Sequence, residues 1–281
     1  MYKLFINGAF VRSESARSTP LWDGKEFLAN IARASRKDLR EAVTAARAAQ
    51  VRWWALDPQL RGLMLYRLGE MLEARRSEYI EAVGASPERD TPSAREEIDL
   101  AIDRVLWYAG WCDKYSALLS SRNPVAGPHF NCSTAEPMGV VGILAPQSPI
   151  FLGALSALLP PLVAGNAVVL LASERDPRPA VALAEAIALA DIPPGVINVL
   201  TGFRSEIGPA MAKHDGIEAI ACAREDLAQW SEIERESAAA IKRILAFPLR
   251  RAADYFNESA QSLDAIADFC EIKTIWHPTG F

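Results

Sequence analysis

The sequence lacks both a long apolar run and a strong excess of either charge. Its 281 residues include 35 acidic and 30 basic side chains, a formal net charge of -5 without long blocks of one sign. No segment reaches the roughly 20 consecutive apolar residues that a membrane-spanning helix needs. The first ten residues, MYKLFINGAF, also lack the pattern of a secretory signal. We therefore expect neither nucleic acid nor a membrane as a partner, and a cytoplasmic location.

Cysteine and histidine are scarce and scattered. The four cysteines are far apart in the chain: Cys112, Cys132, Cys222 and Cys270. None of them pairs with another cysteine or with one of the three histidines at metal-ligand spacing. Free cysteine packs well as a small apolar residue, whereas a reactive thiol needs an electropositive setting. We predict buried thiols and no metal site.

Apolar residues make up 50% of the chain, enough for a sizeable core, and their spacing changes near residue 138. From Ser35 to Leu119 they recur at helical spacing, and Ser35 with Asp38 predicts the start of the first helix. Beyond 138, short runs rich in Val and Ile alternate with segments of helix length. Strands without polar alternation that are joined by crossover helices indicate a parallel sheet buried on both faces. We predict an α/β fold, a Rossmann-like doubly wound parallel sheet with an N-terminal helical layer.

Five long segments within roughly residues 1–222 carry the most specific pattern of the chain. In colinear order they are FINGAFV, IARASRKDLREAVTAARAA, EPMGVVGILAP, LVAGNAVVLLASE and DIPPGVINVLTG. Together they resemble the N-terminal, dinucleotide-binding part of the aldehyde dehydrogenase superfamily. The resemblance implies this fold, with a nucleotide at the carboxyl ends of the strands. It implies less about activity, because function belongs to sites rather than to folds.

The resemblance places a cofactor site on this chain, and several of its residues have changed. The family's Lys-Pro-Ser-Glu turn, which reaches the adenosine ribose, corresponds to Leu-Ala-Ser-Glu at 171–174, so that Leu171 replaces the lysine while Glu174 remains. The family's Pro-Trp-Asn turn corresponds to Pro-Gln-Ser at 146–148. Ser148 stands in for the asparagine that donates to the oxyanion, and loss of such a donor typically lowers the rate about 100-fold or more.

A third family element, Phe-Thr-Gly-Ser near the pyrophosphate, corresponds to Cys-Ala-Arg-Glu at 222–225. Glu225 repels an anion there, while Arg224 is a cation that offsets part of the repulsion. We expect no bound cofactor, or at most weak NAD(P) binding, at a degenerate site. Its residues are Pro146, Ser148, Leu171, Ser173, Glu174 and Arg224.

The catalytic region departs furthest from the family. Active members continue through a Glu-Leu-Gly-Gly motif and a nucleophilic cysteine in a catalytic domain. This chain instead runs through residues 223–269 to CEIKTIWHPTGF, which resembles the family's closing strand. It thus resembles the C-terminal pseudo-domain of two-domain aldehyde dehydrogenases and of bifunctional proline utilization A enzymes, a non-catalytic module that packs against an active unit. We predict no catalytic residue.

The resemblance divides the chain into four segments. We expect an N-terminal hairpin and helical layer at 1–122, the first part of a β-flap at 123–137, a Rossmann-like unit at 138–255, and a closing segment with the last flap strand at 256–281. Within EIKTIW, alternating side chains predict an edge strand with two different faces. The predicted interface residues are Phe130, Cys132, Ile272, Thr274 and Trp276.

Two functions follow from these patterns. The first is a non-catalytic pseudoenzyme, a structural or regulatory oligomerisation subunit of an active aldehyde dehydrogenase, with a hetero-oligomer as the main assembly and a homodimer as a further one. The alternative is an NAD-binding component of an aldehyde dehydrogenase, which oxidises an aldehyde to a carboxylic acid with chemistry supplied elsewhere. Any activity of the chain itself would be that of an NAD(P)-dependent aldehyde dehydrogenase. A cofactor titration separates the two functions.

Overall fold

The computed structural model describes residues 1–87, 93–223, 227–247 and 251–280. Up to residue 119, these residues form two hairpins and a helical layer. The elements are β1 (Leu4–Ile6), β2 (Ala9–Val11), β3 (Ser18–Asp23), β4 (Glu26–Ala32), α1 (Arg36–Ala55), α2 (Pro58–Ala74), α3 (Arg76–Gly84), α4 (Ala94–Ala109) and α5 (Tyr115–Leu119). Asn7 and Gly8 both have positive φ, 52° and 77°, as the tight turn between β1 and β2 requires. The helices lie where their spacing predicted them.

The start of α1 confirms the predicted cap. The Ser35 hydroxyl accepts a hydrogen bond from the backbone N–H of Asp38 at 3.3 Å, and the Asp38 carboxylate accepts from the backbone N–H of Ser35 at 2.7 Å. The two residues therefore satisfy donors that the first turn of a helix leaves without partners.

The rest of the chain alternates strands and helices. Its elements are β5 (Ser121–Arg122), β6 (His129–Pro137), β7 (Val140–Leu144), α6 (Leu152–Val163), β8 (Ala167–Leu171), α7 (Arg178–Leu189), β9 (Ile197–Leu200), α8 (Arg204–Lys213), β10 (Ala219–Cys222), α9 (Leu227–Ser237), β11 (Arg243–Ala246), α10 (Leu263–Ala267) and β12 (Cys270–Pro278). Short 3-10 turns cover Ala238–Ala240, Ala252–Phe256 and Glu258–Ala260. Within the described residues, no helix is long and apolar enough to cross a bilayer.

Seven strands form the central sheet in the order β11-β10-β7-β8-β9-β1-β2. The five strands from β7 to β11 are parallel, which confirms the doubly wound α/β fold. The sheet is not wholly parallel, however, because β1 pairs antiparallel with β9 and β2 with β1. The parallel strand β11 was not predicted.

Helices cover both faces of this sheet. Along β7, Val141 and Ile143 belong to a buried cluster that takes in α4 and α6, whereas Val140 and Leu144 belong to a second cluster with residues of α1 and α8. Each strand therefore buries alternate side chains on opposite faces, and this explains the apolar runs without polar alternation.

The order of the sheet reverses at β7. The chain passes from β7 to β8 and β9 on one side, then returns to place β10 on the other side of β7. In open α/β sheets ligands bind outside the carboxyl ends of the strands at such a reversal. We call this edge, formed by the described residues that follow β7, β8, β9 and β10, the crevice edge.

A separate three-stranded sheet, in the order β12-β6-β5, forms the flap. Strand β12 pairs antiparallel with β6 along its whole length, from Cys270 opposite Pro137 to Pro278 opposite His129. Strand β12 is the outer strand, which confirms the predicted edge. The predicted difference between its two faces is wrong for the single chain, because every residue of β12 after Cys270 is exposed.

Residues 251–269 connect the central sheet to the flap and pack against the helical layer. Tyr255, Ile266 and Phe269 are buried in the same cluster as α4 and α6. The buried Arg104 of α4 donates to the carbonyl oxygen of Tyr255 at 2.8 Å and to the hydroxyl of Ser156 at 2.6 Å. The connection is therefore an integrated part of the core. From here on, the closing segment means residues 251–269, without strand β12.

Candidate functional site

The turn after β7 and the turn after β8 meet at the crevice edge. Pro146 is buried, and Gln147 and Ser148 are half-buried. The Gln147 side chain reaches across to the residues after β8, where its Oε1 atom accepts three hydrogen bonds. The donors are the Ser173 hydroxyl at 2.9 Å, the backbone N–H of Glu174 at 2.9 Å and the backbone N–H of Arg175 at 3.3 Å. One amide oxygen therefore occupies a point on which three donors converge.

The turn after β8 is also tied to the start of α8. The Glu174 carboxylate accepts a hydrogen bond from the backbone N–H of Arg204, the first residue of that helix. A helix N-terminus carries a partial positive charge and unpaired N–H groups, so a carboxylate there is stabilised. Glu174 thus serves as the anion at this helix end.

The Arg204 side chain turns back over the end of β7. It is only 5% exposed, and its guanidinium donates to the carbonyl oxygen of Ala145, directly after that strand. The side chain therefore lies at the strand where the sheet order reverses.

The other predicted cofactor residues have different environments. Leu171 is fully buried in the cluster with Leu144 and Ile207, so it faces a helix rather than the crevice edge. Ser173 is buried and bonded to Gln147. Residues 224–226, which include Arg224 and Glu225, lie outside the described residues.

A dinucleotide needs hydrogen-bond donors for its ribose and its pyrophosphate, and the donors named above bond to the chain itself. The Ser173 hydroxyl and two backbone N–H groups donate to Gln147, the N-terminus of α8 donates to Glu174, and Arg204 donates to Ala145. As they stand, these residues do not fit NAD at the crevice edge.

Burial keeps two of the four cysteines in the thiol form. Burial raises the pKa of Cys112 to about 12 and the pKa of Cys270 to about 12, so both remain thiols at neutral pH. Cys222 is also buried, as predicted, but Cys132 is only half-buried, so the prediction of a buried thiol is wrong there. Within the described residues, no group of three or more His, Cys, Asp or Glu side chains has a geometry that would hold a metal ion.

The predicted interface residues come together on the paired strands β6 and β12. Thr274 lies opposite Ser133, with their hydroxyls 2.9 Å apart, and Phe130 lies opposite His277. Ile272 and Trp276 are exposed at 57% and 60% of their surfaces. Sequence reasoning missed Ile275, which is 43% exposed beside Cys132. Within EIKTIW, Ile275 alternates with Glu271 and Lys273, and it is the one apolar residue of that set. This was the available signal.

Sequence reasoning also missed the roles of Gln147 and Arg204. Their partners lie 26 and 59 residues away in the chain, so no local pattern connects them. A charged residue at the start of the helix after β9 was the only local signal for Arg204.

Comparison with known proteins points to one family. A family profile described as "Aldehyde dehydrogenase family" matches residues 11–261. The chain is 34% identical over 226 residues to DhaS of Bacillus subtilis, named as a putative aldehyde dehydrogenase, and covers 45% of it. It is 31% identical over 227 residues to the human mitochondrial aldehyde dehydrogenase and covers 43% of it. Both alignments take in 78% of this chain, which spans less than half the length of these relatives.

Solved structures give the same result. The NAD⁺ complex of aldehyde dehydrogenase from Bacillus cereus matches with a TM-score of 0.80 and 26% identity, over 88% of this chain and 50% of that one. HpcC from Thermus thermophilus matches with a TM-score of 0.81 and 28% identity, over 87% of this chain and 47% of that one.

Proposed function

Because this chain belongs to the aldehyde dehydrogenase family, we propose that it is a cytoplasmic pseudoenzyme that acts as an oligomerisation subunit of an active aldehyde dehydrogenase. In this role it provides structure or regulation, and the partner performs the oxidation. The main assembly is a hetero-oligomer, alongside a weaker homodimer.

The lack of catalysis is supported by the sequence and by the thiols. The chain contains no Glu-Leu-Gly-Gly motif. The raised pKa values of Cys112 and Cys270 keep those two thiols protonated, whereas attack on an aldehyde requires a thiolate.

The observation that carries the subunit role is the open edge of β12. Its inner edge is fully paired with β6, while its outer edge has no neighbouring strand in the described sheet. Three large apolar side chains, Ile272, Ile275 and Trp276, are exposed along this strand. An edge of this kind invites another chain to add a strand, and an exposed tryptophan is a frequent energetic anchor of interfaces.

The closing segment holds the last flap strand, β12, against the core. Its buried residues Tyr255, Ile266 and Phe269 fill part of the core, and Asn166 donates to the Phe269 carbonyl at 3.0 Å. This packing places Cys270 at the base of β12, so the core holds the flap strand in position.

The alternative function, an NAD-binding component of an aldehyde dehydrogenase, is supported by the intact sheet and by the retained Glu174. It predicts a micromolar dissociation constant for NAD, whereas the pseudoenzyme predicts one weaker than about 1 mM. Calorimetric titration of the purified chain with NAD decides between them.

Exchange of one exposed tryptophan tests the subunit role. We expect Trp276→Ala to weaken binding to a full-length aldehyde dehydrogenase of the same genome about 30-fold, since interface anchors contribute about 2 kcal/mol or more. Co-expression identifies the partner by co-purification, and surface plasmon resonance then measures the affinity. Deletion of residues 271–281 should abolish co-purification while circular dichroism stays that of a folded α/β protein.

Trp22→Ala is the matched control, because Trp22 is 50% exposed on β3, outside the flap. Equal affinities of the two variants, or unchanged co-purification after the deletion, would reject the proposed interface.

A further inference from the structure

We infer that the chain fills its own nucleotide crevice: Gln147 and Arg204 take positions that a bound nucleotide would occupy, and Glu174 is bonded to the start of α8 instead of to a ribose. This inference rests on the proposed function, since it explains why a chain with this fold would not hold the family's cofactor. It concerns the crevice edge alone and not the flap.

The first part of the filling is the amide oxygen of Gln147. A hydroxyl and two successive backbone N–H groups, from residues 173–175, converge on it at 2.9, 2.9 and 3.3 Å. Successive N–H groups that point to one spot form a concave site for an anionic oxygen. Here a neutral oxygen of the same chain occupies that spot. Ser173 is 3% exposed whereas Glu174 and Arg175 are exposed, so the three donors extend from the core to the surface.

The second part is the Glu174 carboxylate on the N-terminus of α8. This helix end follows β9, a neighbour of β8 at the crevice edge. Because the Glu174 carboxylate accepts a hydrogen bond from the backbone N–H of Arg204, an incoming phosphate would meet a carboxylate instead of an open helix end.

The third part is the Arg204 side chain. Its guanidinium is buried and bonded to the Ala145 carbonyl, so it occupies space over β7 without presenting its charge to solvent. It lies beside the strand at which ligands enter folds of this kind. Arg204 therefore fills the crevice rather than attracting an anion into it.

These three contacts compete with a nucleotide for the same groups. A nucleotide must displace the Gln147 oxygen from its three donors and the Arg204 side chain from the end of β7 before it makes bonds of its own. Binding energy is reduced by the bonds that are lost. Removal of the filling groups should then recover affinity, because the donors of the cradle, the Ser173 hydroxyl and the backbone N–H groups of Glu174 and Arg175, remain.

The double variant Gln147→Ala/Arg204→Ala tests this inference. By calorimetry with NAD as the probe, we expect wild type to bind more weakly than about 1 mM and the variant at least tenfold more tightly than wild type. We expect a change of that size when the donors around the Gln147 oxygen and the space above β7 become accessible to NAD together.

The matched control is Gln50→Ala/Arg36→Ala. Gln50 donates to the carbonyl of Gly165 at 3.2 Å, and Arg36 is an exposed first residue of a helix, so this variant makes the same replacements away from the crevice edge. Its affinity for NAD should equal that of wild type. A control that gains affinity equally would overturn the inference.

A folded double variant that binds NAD no more tightly than wild type would also overturn it. If circular dichroism shows that the double variant is unfolded, the single variants Gln147→Ala and Arg204→Ala take its place. The inference then requires that at least one of them bind NAD about threefold more tightly than wild type. Failure of this inference would not affect co-purification through the flap, which tests the proposed function separately. Micromolar binding by wild type would instead reject both this inference and the lack of cofactor in the proposed function.

Discussion

At the scale of single residues, buried charges hold separate elements together. Asp38 accepts hydrogen bonds from the Ser13 hydroxyl at 2.7 Å and from the backbone N–H groups of Glu14 and Ser35 at 2.9 and 2.7 Å. Glu97, fully buried, accepts at 2.8 Å from the backbone N–H of Phe151, just before α6. These carboxylates serve as internal caps, and charges of this kind are costly to bury without such partners.

Asp38→Asn should lower the free energy of unfolding by about 2 kcal/mol near pH 7, because hydrogen bonds to a charged acceptor are the stronger ones. Burial disfavours the charged form of Asp38, but the hydrogen bonds from Glu14, Ser35 and Ser13 outweigh it and hold its pKa below the ordinary 3.8. Urea unfolding followed by circular dichroism measures the difference.

The sign of the pH dependence follows from that lowered pKa. The stabilisation is fully present above the unfolded pKa of about 4 and is lost as the pH falls through the folded pKa. The difference between wild type and Asp38→Asn should therefore shrink below about pH 4. Glu41→Gln, an exposed site on the same helix, serves as the control and should change stability by less than about 0.5 kcal/mol. A difference that stays constant down to pH 2 would contradict this account.

At the scale of elements, the closing segment depends on Arg104. This side chain joins α4 to α6 through Ser156 and to the turn Ala252–Phe256 through the Tyr255 carbonyl. The closing segment has little regular structure of its own, so its position is set by such tertiary contacts and by its buried apolar side chains.

Arg104→Ala should destabilise the chain by about 2–3 kcal/mol, because it removes two hydrogen bonds and leaves a void in the core. Amide hydrogen exchange should become faster in residues 251–269 than in β7 or β8. Arg95→Ala, at an exposed position of the same helix, is the control. Uniform exchange in both variants would show that Arg104 does not hold the segment.

The elements also differ in how far the sequence predicts them. Strands β7 to β10 were predictable, because burial on both faces leaves uninterrupted apolar runs. Strand β11 is four residues long and half-exposed, and it begins with Arg243 directly after Lys242, so its apolar run is short. Strands β3 and β4 were missed although Asp23 and Gly24 join them, an Asp-Gly pair in which Gly24 has a φ of 57°. That pair is a hairpin signal and could have predicted them.

At the scale of the whole molecule, the fold of the family and the chemistry of its site are separate properties of this chain. The family match over residues 11–261 includes all five parallel strands of the central sheet, β7 to β11, and residues at the crevice edge of that sheet bond to one another. The fold could be predicted because many local patterns agree. The hydrogen bonds within the crevice edge could not be predicted, because they join side chains that only the tertiary structure brings together.

The isolated chain should not produce NADH from aliphatic or aromatic aldehydes, because it has neither the Glu-Leu-Gly-Gly motif nor a predicted catalytic cysteine. Absorbance of NADH at steady state, with a full-length family member as the positive control, measures this. Turnover that rises in proportion to this protein would refute the prediction. A variant with all four cysteines changed to serine separates true turnover from a contaminant, which would be unaffected by the change.

The pairing of β12 with β6 also sets an order of events during synthesis. Ser133 and Thr274, neighbours in the flap, lie 141 residues apart in the chain. At ribosomal rates of about 5–20 residues per second, β6 leaves the ribosome roughly 7–30 s before its partner strand. Over that interval β5 is already available to pair with β6, and the long edge later covered by β12 is open to solvent. Flap closure in the nascent chain thus competes with capture of β6 by any other strand nearby, and the outcome is set by translation speed as well as by affinity.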